Sequence, residues 1–421
     1  MHEPLSIGPL LRRQRQVLGR SQSEQAEVLS ELAGRAVTRN EVSRWESEAR
    51  LLTPYWQQHY ANSLSVPVAE LRRAVAAAKA QRRLSRGEPR PEGGDVHRRA
   101  FLGTLAGLAA SLPAVPLSAG GRRIGAAHTE QLLARTARLR RLDDFLGGAD
   151  TYRLYAQELY QTSRLVRVAG MTSAQRQACT VVIAEQAQLA GWAAFDAGMH
   201  REAEEHYLTS LEAAKEAEDA ALAGNALSFL AYQRVSVERP SVEMATASYA
   251  TAQATATPRV RALLLERLAW THAVAGQAQE TERALAQADE ALRVPSDRPE
   301  PDWVYWVDED ELQIMAGRCW TRLRRPLRAV PVLEGVLSRY SDTHARDKSM
   351  YLTSLAHAYV DAGEVEQAAV VTMRATELAS GLGSVRPAVR IAEVAGRLRR
   401  HRSLPAVATT LDAADGLTAR A

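Results

Sequence analysis

The sequence predicts an all-α protein: a five-helix domain over residues 1–80, a linker with an apolar helix over 81–125, and a helical-repeat array over 126–421. Three observations predict it. Short amphipathic segments, each opened by a capping residue and closed by glycine or proline, follow one another through about residue 75. A stretch rich in Gly, Pro and charge then interrupts them. From about Ala184 a helical pattern recurs with a period near 40 residues.

The elements follow in order. IGPLLRRQRQVLG sets Ile7, Leu10, Leu11 and Leu18 at helical spacing, with Val17 adjacent, and Gly19 ends the helix. SQSEQAEVLSEL opens on a capping box, Ser21 to Glu24, with an apolar face of Ala26, Val28, Leu29 and Leu32, and Gly34 breaks it. VTRNEVSRWE carries a second capping box, Thr38 to Glu41, so a helix starts at Arg39. At about 100° per residue Val42 and Trp45 share one face, while Asn40, Ser43 and Arg44 share the other. Pro54 and Pro67 stand near the starts of a fourth and a fifth helix. The polar face of the third helix has base-reading chemistry: Asn40 can pair bidentately with adenine, Arg39 or Arg44 with guanine, and Ser43 with either. A solvated surface helix fits the same ten residues.

The run from Ile7 to Glu46 resembles the helix-turn-helix of the Xre and phage-repressor family. Ile7-Gly8, Leu11, Arg15, Gly19, Ser21-Gln22, Ala26, Val42-Ser43 and Glu46 carry the resemblance, which extends over about residues 7–70. It implies a lambda-repressor-like helix-turn-helix domain whose third helix enters the major groove of double-stranded operator DNA. It also implies that Arg15 and Glu46 pair inside the domain and that Gln22 holds a phosphate. The candidate DNA-binding residues are thus Gln22, Thr38, Arg39, Asn40, Ser43 and Arg44. One departure stands out: the link around AGRAVT is longer than the family's tight turn, which leaves the residue-to-base register open.

Charge is distributed unevenly. Residues 1–99 carry 17 Lys+Arg against 11 Asp+Glu, whereas the remainder carries 36 against 38. The positive excess therefore sits where phosphates would be met. Only Lys79, Lys215 and Lys348 are lysines, an arginine bias that speaks of genome composition rather than function. Cys179 and Cys319 make no disulfide framework and fit a reducing compartment. After the linker, RRAFLGTLAGLAASLPAVPLSAG looks like a twin-arginine export signal, but it follows a complete domain and is broken by Pro113 and Pro116. An apolar helix packing on the C-terminal part is the expectation, with a cytoplasmic location and no membrane partner.

Two stretches set the repeat. QLAGWAAFDAGMHREAEEHYLTSLEAA and SLAHAYVDAGEVEQAAVVTMRATELA both show a small residue, a Gly seven later and an Ala five after that. Both resemble tetratricopeptide repeats, and weaker copies sit at 224–255, 262–293 and 310–340. The small residue falls at Gly191, Ala231, Ala269, Gly317 and Ala356, spacings of 40, 38, 48 and 39, and the longest gap holds VPSDRPEPDW as an insertion. Two or three further helices are expected over 129–183. The resemblance implies helix pairs stacked into a tetratricopeptide-like superhelix with a concave face. It also implies that the position after the small residue (Trp192, Tyr232, Trp270, Arg318, His357) and the one seven earlier (Glu185, Asn225, Leu263, Glu311, Met350) face the groove. Gln188, Trp192, Asn225, Tyr232, Trp270 and Arg318 form the candidate ligand-binding set, suited to a small amphiphilic molecule or a peptide. Packing of these aromatics between repeats is the alternative.

No Gly-rich phosphate loop, HExxH, GxSxG or Cys/His metal spacing occurs, so the expectation is no enzyme, no metal and no cofactor. The acidic run Asp308-Glu309-Asp310-Glu311 reads as a helix start. The functional expectation is a sequence-specific DNA-binding transcriptional regulator, acting as a homodimer, whose repeats dimerise or sense a small-molecule or peptide effector. Similarity to actinomycete regulators of this architecture implies control of secondary metabolism or differentiation. A protein-interaction scaffold, with DNA binding secondary, is the competing class.

Overall fold

The computed structural model describes residues 6–34, 36–48, 51–68, 70, 71, 74, 75, 78 and 126–419. All regular structure among them is helical, with no strand. The chain divides into two compact units, residues 1–93 and 94–421. The apolar run after Arg99, read above as a pseudo-signal, lies outside the described residues. No helix among the described residues is long and apolar enough to cross a membrane.

In the first unit α1 (Ile7–Val17), α2 (Gln22–Ala33), α3 (Arg39–Glu46) and α4 (Pro54–Leu64) enclose one core, and the described residues from 68 to 78 are again helical. Both capping boxes form: Ser21 Oγ accepts from Glu24 N at 3.2 Å and Thr38 Oγ1 from Glu41 N at 3.3 Å, with each glutamate reaching back to its cap amide. Trp45 is fully buried against Trp56 and Tyr60. Three residues predicted for the apolar faces are not in the core: Val17, Leu18 and Leu32 are exposed. Val17 and Leu18 lie at the last turn and cap of α1, past the reach of the packing helices, and Leu32 lies at the matching edge of α2.

The domain is fastened by a buried ion pair. Arg15 donates from Nε and Nη2 to the Glu46 carboxylate at 2.5 and 2.9 Å, and from Nη1 to the Arg20 carbonyl at 2.6 Å. Burial raises the Glu46 carboxyl, but the hydrogen bonds of Arg15 and Gln22 outweigh it and hold the group below the ordinary carboxylate range. Gly8 is explained by the same junction: a Cβ there would stand 2.5 Å from the Glu46 carbonyl oxygen. The link between α2 and α3 is closed by Ser30, whose hydroxyl accepts from Val37 N at 2.8 Å.

In the second unit α5 (Ala126–Arg140) and α6 (Gly148–Val168) precede six helix pairs: α7 (Ser173–Asp196) with α8 (His200–Glu216), α9 (Ala220–Ser236) with α10 (Val242–Ala252), α11 (Pro258–Val274) with α12 (Ala278–Arg293), α13 (Glu309–Arg322) with α14 (Pro326–Arg339), α15 (Ala345–Ala362) with α16 (Val365–Ala379), and α17 (Arg386–Leu398) with α18 (Pro405–Thr418). Within each of the first five pairs the small residue is buried where its partner helix crosses. A Cβ on Gly191 would meet the Tyr207 ring at 2.5 Å, and one on Gly317 would meet Leu333 at 2.5 Å. Seven residues further on, the chain turns with positive φ in all five pairs: Gly198 (80°), Glu238 (54°), Gly276 (76°), Arg324 (55°) and Gly363 (84°). The backbone keeps the register even where the glycine is absent, at a cost on the order of 1 kcal/mol each for Glu238 and Arg324.

The array closes on itself. Asp196, fully buried at the end of α7, accepts from Gly148 N at 2.8 Å and from Ser384 Oγ at 2.8 Å, and its carbonyl accepts from Val385 N at 3.2 Å. Arg386 lies 3.6 Å and Arg346 3.9 Å from the same carboxylate. Gly383 passes so close to α6 that a Cβ on Gly147 would stand 2.1 Å from its carbonyl carbon. A second closure comes from the predicted insertion. It turns through a 3-10 helix, Asp302–Val304, where Asp302 pairs with Arg140 and Arg141 and Tyr305 OH donates to Asp144.

Removing the Asp196 carboxylate leaves Arg346 and Arg386 without it and Gly148 N unsatisfied. Asp196→Ala is therefore expected to destabilise the second unit by about 3–5 kcal/mol, read as a lowered urea midpoint. An unchanged midpoint would show that the closure contributes nothing.

Candidate functional site

Two arrangements in the molecule have unspent chemistry. The first is the outer face of α3. Arg39, Asn40 and Arg44 are exposed there and make no hydrogen bond or ion pair with another described residue, while Ser43 is half-buried. Thr38 is also exposed, but its hydroxyl is consumed by the cap, accepting from Glu41 N and donating to Glu41 Oε2 at 3.2 Å. This is the capping box read from the sequence, and it engages the hydroxyl of a residue also named as a DNA-binding candidate. Gln22 opens α2 and is half-buried, and its amide donates to Glu46 Oε2 at 3.0 Å. One of its two amide N–H groups is thereby tied to the ion pair.

The second is a cavity of about 510 Å³ inside the closed array. Its wall is built from the first helix of successive pairs, at three positions per helix. The position six before the small residue brings Glu185, Asn225, Leu263, Glu311 and Met350. The position two before brings Leu189, Phe229, Arg267 and Ser354, and the position after brings Trp192, Tyr232 and Arg318. These offsets are i, i+4 and i+7, one stripe of an α-helix. Five of the six predicted ligand residues, Gln188, Trp192, Asn225, Tyr232 and Arg318, line this space together.

Trp270 does not, and that expectation is corrected. The Arg318 guanidinium lies 4.8 Å from its ring centroid, so the arginine of the next pair covers the face that would have opened on the groove. His357 is likewise covered, by Arg397 at 3.3 Å from its Nδ1. Gln188 and Asn225 reach the wall with their amides largely committed. Asn225 Nδ2 donates to Gln188 Oε1 at 2.7 Å, Gln188 Nε2 donates to Ser210 Oγ and the Leu222 carbonyl at 3.1 Å, and Ser228 Oγ donates to Asn225 Oδ1 at 3.1 Å. They stiffen the wall more than they offer contacts. Trp192 is half-buried among Phe195, Phe229 and Tyr232, its Nε1 donating to Asp143 at 3.0 Å, so it packs between repeats and faces the cavity at once.

The acidic run is also more than a helix start. Asp308 caps α13 by accepting from Glu311 N at 2.9 Å, yet Asp308, Asp310 and Glu311 all line the cavity. Burial pushes the Glu311 carboxyl up to about 7 and the neighbouring Glu266 up to about 8, against the opposing pull of Arg267. No group of His, Cys, Asp or Glu among the described residues is arranged to hold a metal. Both cysteines are buried and free.

Tyr232 is the centre of the electrostatics. Its hydroxyl accepts from Arg318 Nη2 at 2.8 Å and Arg386 Nη2 at 3.3 Å, and Arg267 lies 4.6 Å over its ring. Burial pushes the phenol up, but Arg318, Arg386 and Arg267 overcome it and bring it down to about 7. Arg390, held below its ordinary value by burial and by Arg318 and Arg386, adds a fourth guanidinium. Sequence reasoning missed Arg267, Arg386, Arg390 and Trp306. The i+4 member of the stripe would have found Arg267, and the aromatic run after the insertion, DWVYW, marks Trp306. Arg386 and Arg390 come from α17, after the last recognised repeat, where nothing in the pattern flags them.

No family model and no curated protein matches this chain.

Tyr232 titrates near neutrality in the folded chain and at about 10 when unfolded. A depressed acid stabilises the fold above that window: the contribution is absent below about 7 and grows as pH rises toward 10. Comparison with Tyr232→Phe should therefore show a tyrosinate absorbance band rising near pH 7 in the parent only. Its stability advantage over the variant should widen with pH across the same window. A parent band that appears only in the ordinary tyrosine range would contradict the arginine field described above.

Proposed function

We propose that the chain is a sequence-specific DNA-binding transcriptional regulator. In this reading α1 to α4 form an Xre-type helix-turn-helix domain, and the second unit is a tetratricopeptide-like array that binds a small effector and supports a homodimer. The observation that carries it is the face of α3. Arg39, Asn40 and Arg44 project from a helix anchored by Trp45 and the Arg15–Glu46 pair, and their side chains bond no other described residue. A base reader needs side chains that are free and a helix that is not, and this helix meets both conditions. The basic excess of residues 1–99 supplies the phosphate term.

The cavity supports the sensing half of the proposal. Its volume suits one small molecule, and its wall includes residues from both ends of the array, Arg140 and Arg390 among them. A ligand touching both ends would favour the closed form, and its differential affinity for closed over open sets the size of any response. Transmission to the operator is then a change in dimer geometry and half-site spacing.

Selection of bound sequences from random duplex DNA tests the reading. The full chain is expected to enrich a two-fold motif that Asn40→Ala/Arg44→Ala loses. Each lost bidentate contact should cost about 1–3 kcal/mol, roughly tenfold or more in affinity for the selected site. Salt-dependent binding with no enriched motif would reduce the domain to a generic basic surface.

A further inference from the structure

We infer that the cavity takes a small organic anion with an aromatic body, its negative head seated on Arg318, Arg267 and Arg386 and its ring system against Trp192, Phe229 and Trp306. The inference rests on the proposal that this cavity is the effector site.

Unmatched donors carry the argument. Arg318 has five N–H donors, and it gives one hydrogen bond, to Tyr232, with no carboxylate within 4.0 Å among the described residues. The residue is buried apart from the face it turns to the cavity, so the remaining donors are presented there. Arg267 is no better matched: its nearest carboxylate, Glu266, stands 3.7 Å away, and neither Glu266 oxygen accepts a hydrogen bond. Arg386 shares Asp196 with the closure at 3.6 Å, and only Arg390 has a close partner of its own, Glu393 at 2.9 Å. Burial pushes the Glu266 and Glu311 carboxyls up, so they neutralise less of this charge at neutral pH than exposed carboxylates would.

The acids of the wall are in the opposite condition. Arg346 donates to Asp143 and Asp347 at 2.9 Å, Arg140 to Glu185 at 2.5 Å, Arg339 to Asp310 at 2.5 Å, and Tyr351 OH to Glu311 at 3.0 Å. A cationic ligand would share Asp143, Glu185, Asp310 and Asp347 with their guanidinium partners, and Asp144 and Asp308 are already engaged by the Tyr305 hydroxyl and the Glu311 amide, whereas an anion finds guanidinium donors waiting. A buried charge is costly until a counter-charge meets it, so this pole favours an anionic guest. Beside it stand flat apolar faces. Arg386 already lies 4.8 Å over Trp192, and Trp306 holds its indole by donating to the Trp303 carbonyl at 3.1 Å. One charged pole beside an aromatic shelf selects a flat amphiphile, not a polyanion.

The test uses two fluorescent probes with the same skeleton, 8-anilinonaphthalene-1-sulfonate and uncharged N-phenyl-1-naphthylamine, titrated against the full chain. The sulfonate is expected to bind one per chain, at least tenfold tighter than its neutral twin. Arg318→Met should erase that preference while leaving the neutral probe within about twofold. Arg390→Gln, on a half-buried side chain of α17, should weaken the sulfonate at least threefold and carries the test if Arg318→Met melts early. Equal affinities in the parent would overturn the inference, as would variants that fold and still prefer the sulfonate. The two proposals fail separately. Sulfonate preference with no effect on selected operator DNA removes the sensor and keeps the anion site. An operator response to the neutral probe alone keeps the sensor and removes the anion site.

Discussion

Everything the second unit can do depends on one buried carboxylate. Asp196 is reached by the N-terminus of α6, the loop before α17, and arginines from α15 and α17, so Gly148 and Ser384, 236 residues apart in sequence, meet at a single side chain. A stack of helix pairs is quasi-one-dimensional and by itself leaves an open concave face. The Asp196 junction and the Asp302 insertion turn that face into a partly enclosed space. Enclosure changes the electrostatics. Arginines that would be screened and worth little on an open groove act in a low-dielectric volume, strongly enough to bring a buried tyrosine down to about 7. Without the closure the residues would be the same and the field would be weak.

Much of the fold was legible because its local signals are backbone signals. Capping boxes at Ser21 and Thr38, and the turn position seven past each small residue, state where a helix must start or stop, and the chain obeys even at Glu238 and Arg324, where the expected glycine is missing. What periodicity could not resolve was the edge of a face. Val17, Leu18 and Leu32 satisfy the helical pattern, but they lie where a small domain has no further element to cover them. The same limit applies in the array. Repeat alignment predicts which stripe turns inward, and five of six chosen residues line the cavity. It cannot predict that the side chain of one pair will lie over that of the last, as Arg318 does over Trp270.

The residues that escaped prediction share a cause. Arg386, Arg390 and Trp306 enter the cavity only because the array closes, and closure is a long-range event with no periodic signature. The 48-residue spacing was the one local sign of it. An insertion that lengthens one repeat either hangs in solvent or bridges, and this one bridges, through Asp302 to Arg140 and Arg141 and through Tyr305 to Asp144.

Two arginine clusters show how structure separates support from function better than residue identity does. Arg15 is nearly buried, and its guanidinium is matched on three sides, by both oxygens of Glu46 and by the Arg20 carbonyl. Such a group has nothing left to offer a ligand; its role is to fix the angle between α1 and α3. Arg318 is equally buried and matched on one side. Folding selects against burying a cation with open valences, because the desolvation cost is several kcal/mol, and at Arg318 the Tyr232 and Tyr351 phenols and the Glu311 carboxyl are what offset it. Arg318 therefore sits in a position that folding alone does not favour, flanked by Arg267 and Arg386, which repel it. A cluster of that kind persists when another molecule completes it. The same criterion applied to α3 gives the parallel result: Thr38 and Glu46 are engaged within the domain, while the side chains of Arg39, Asn40 and Arg44 bond no other described residue.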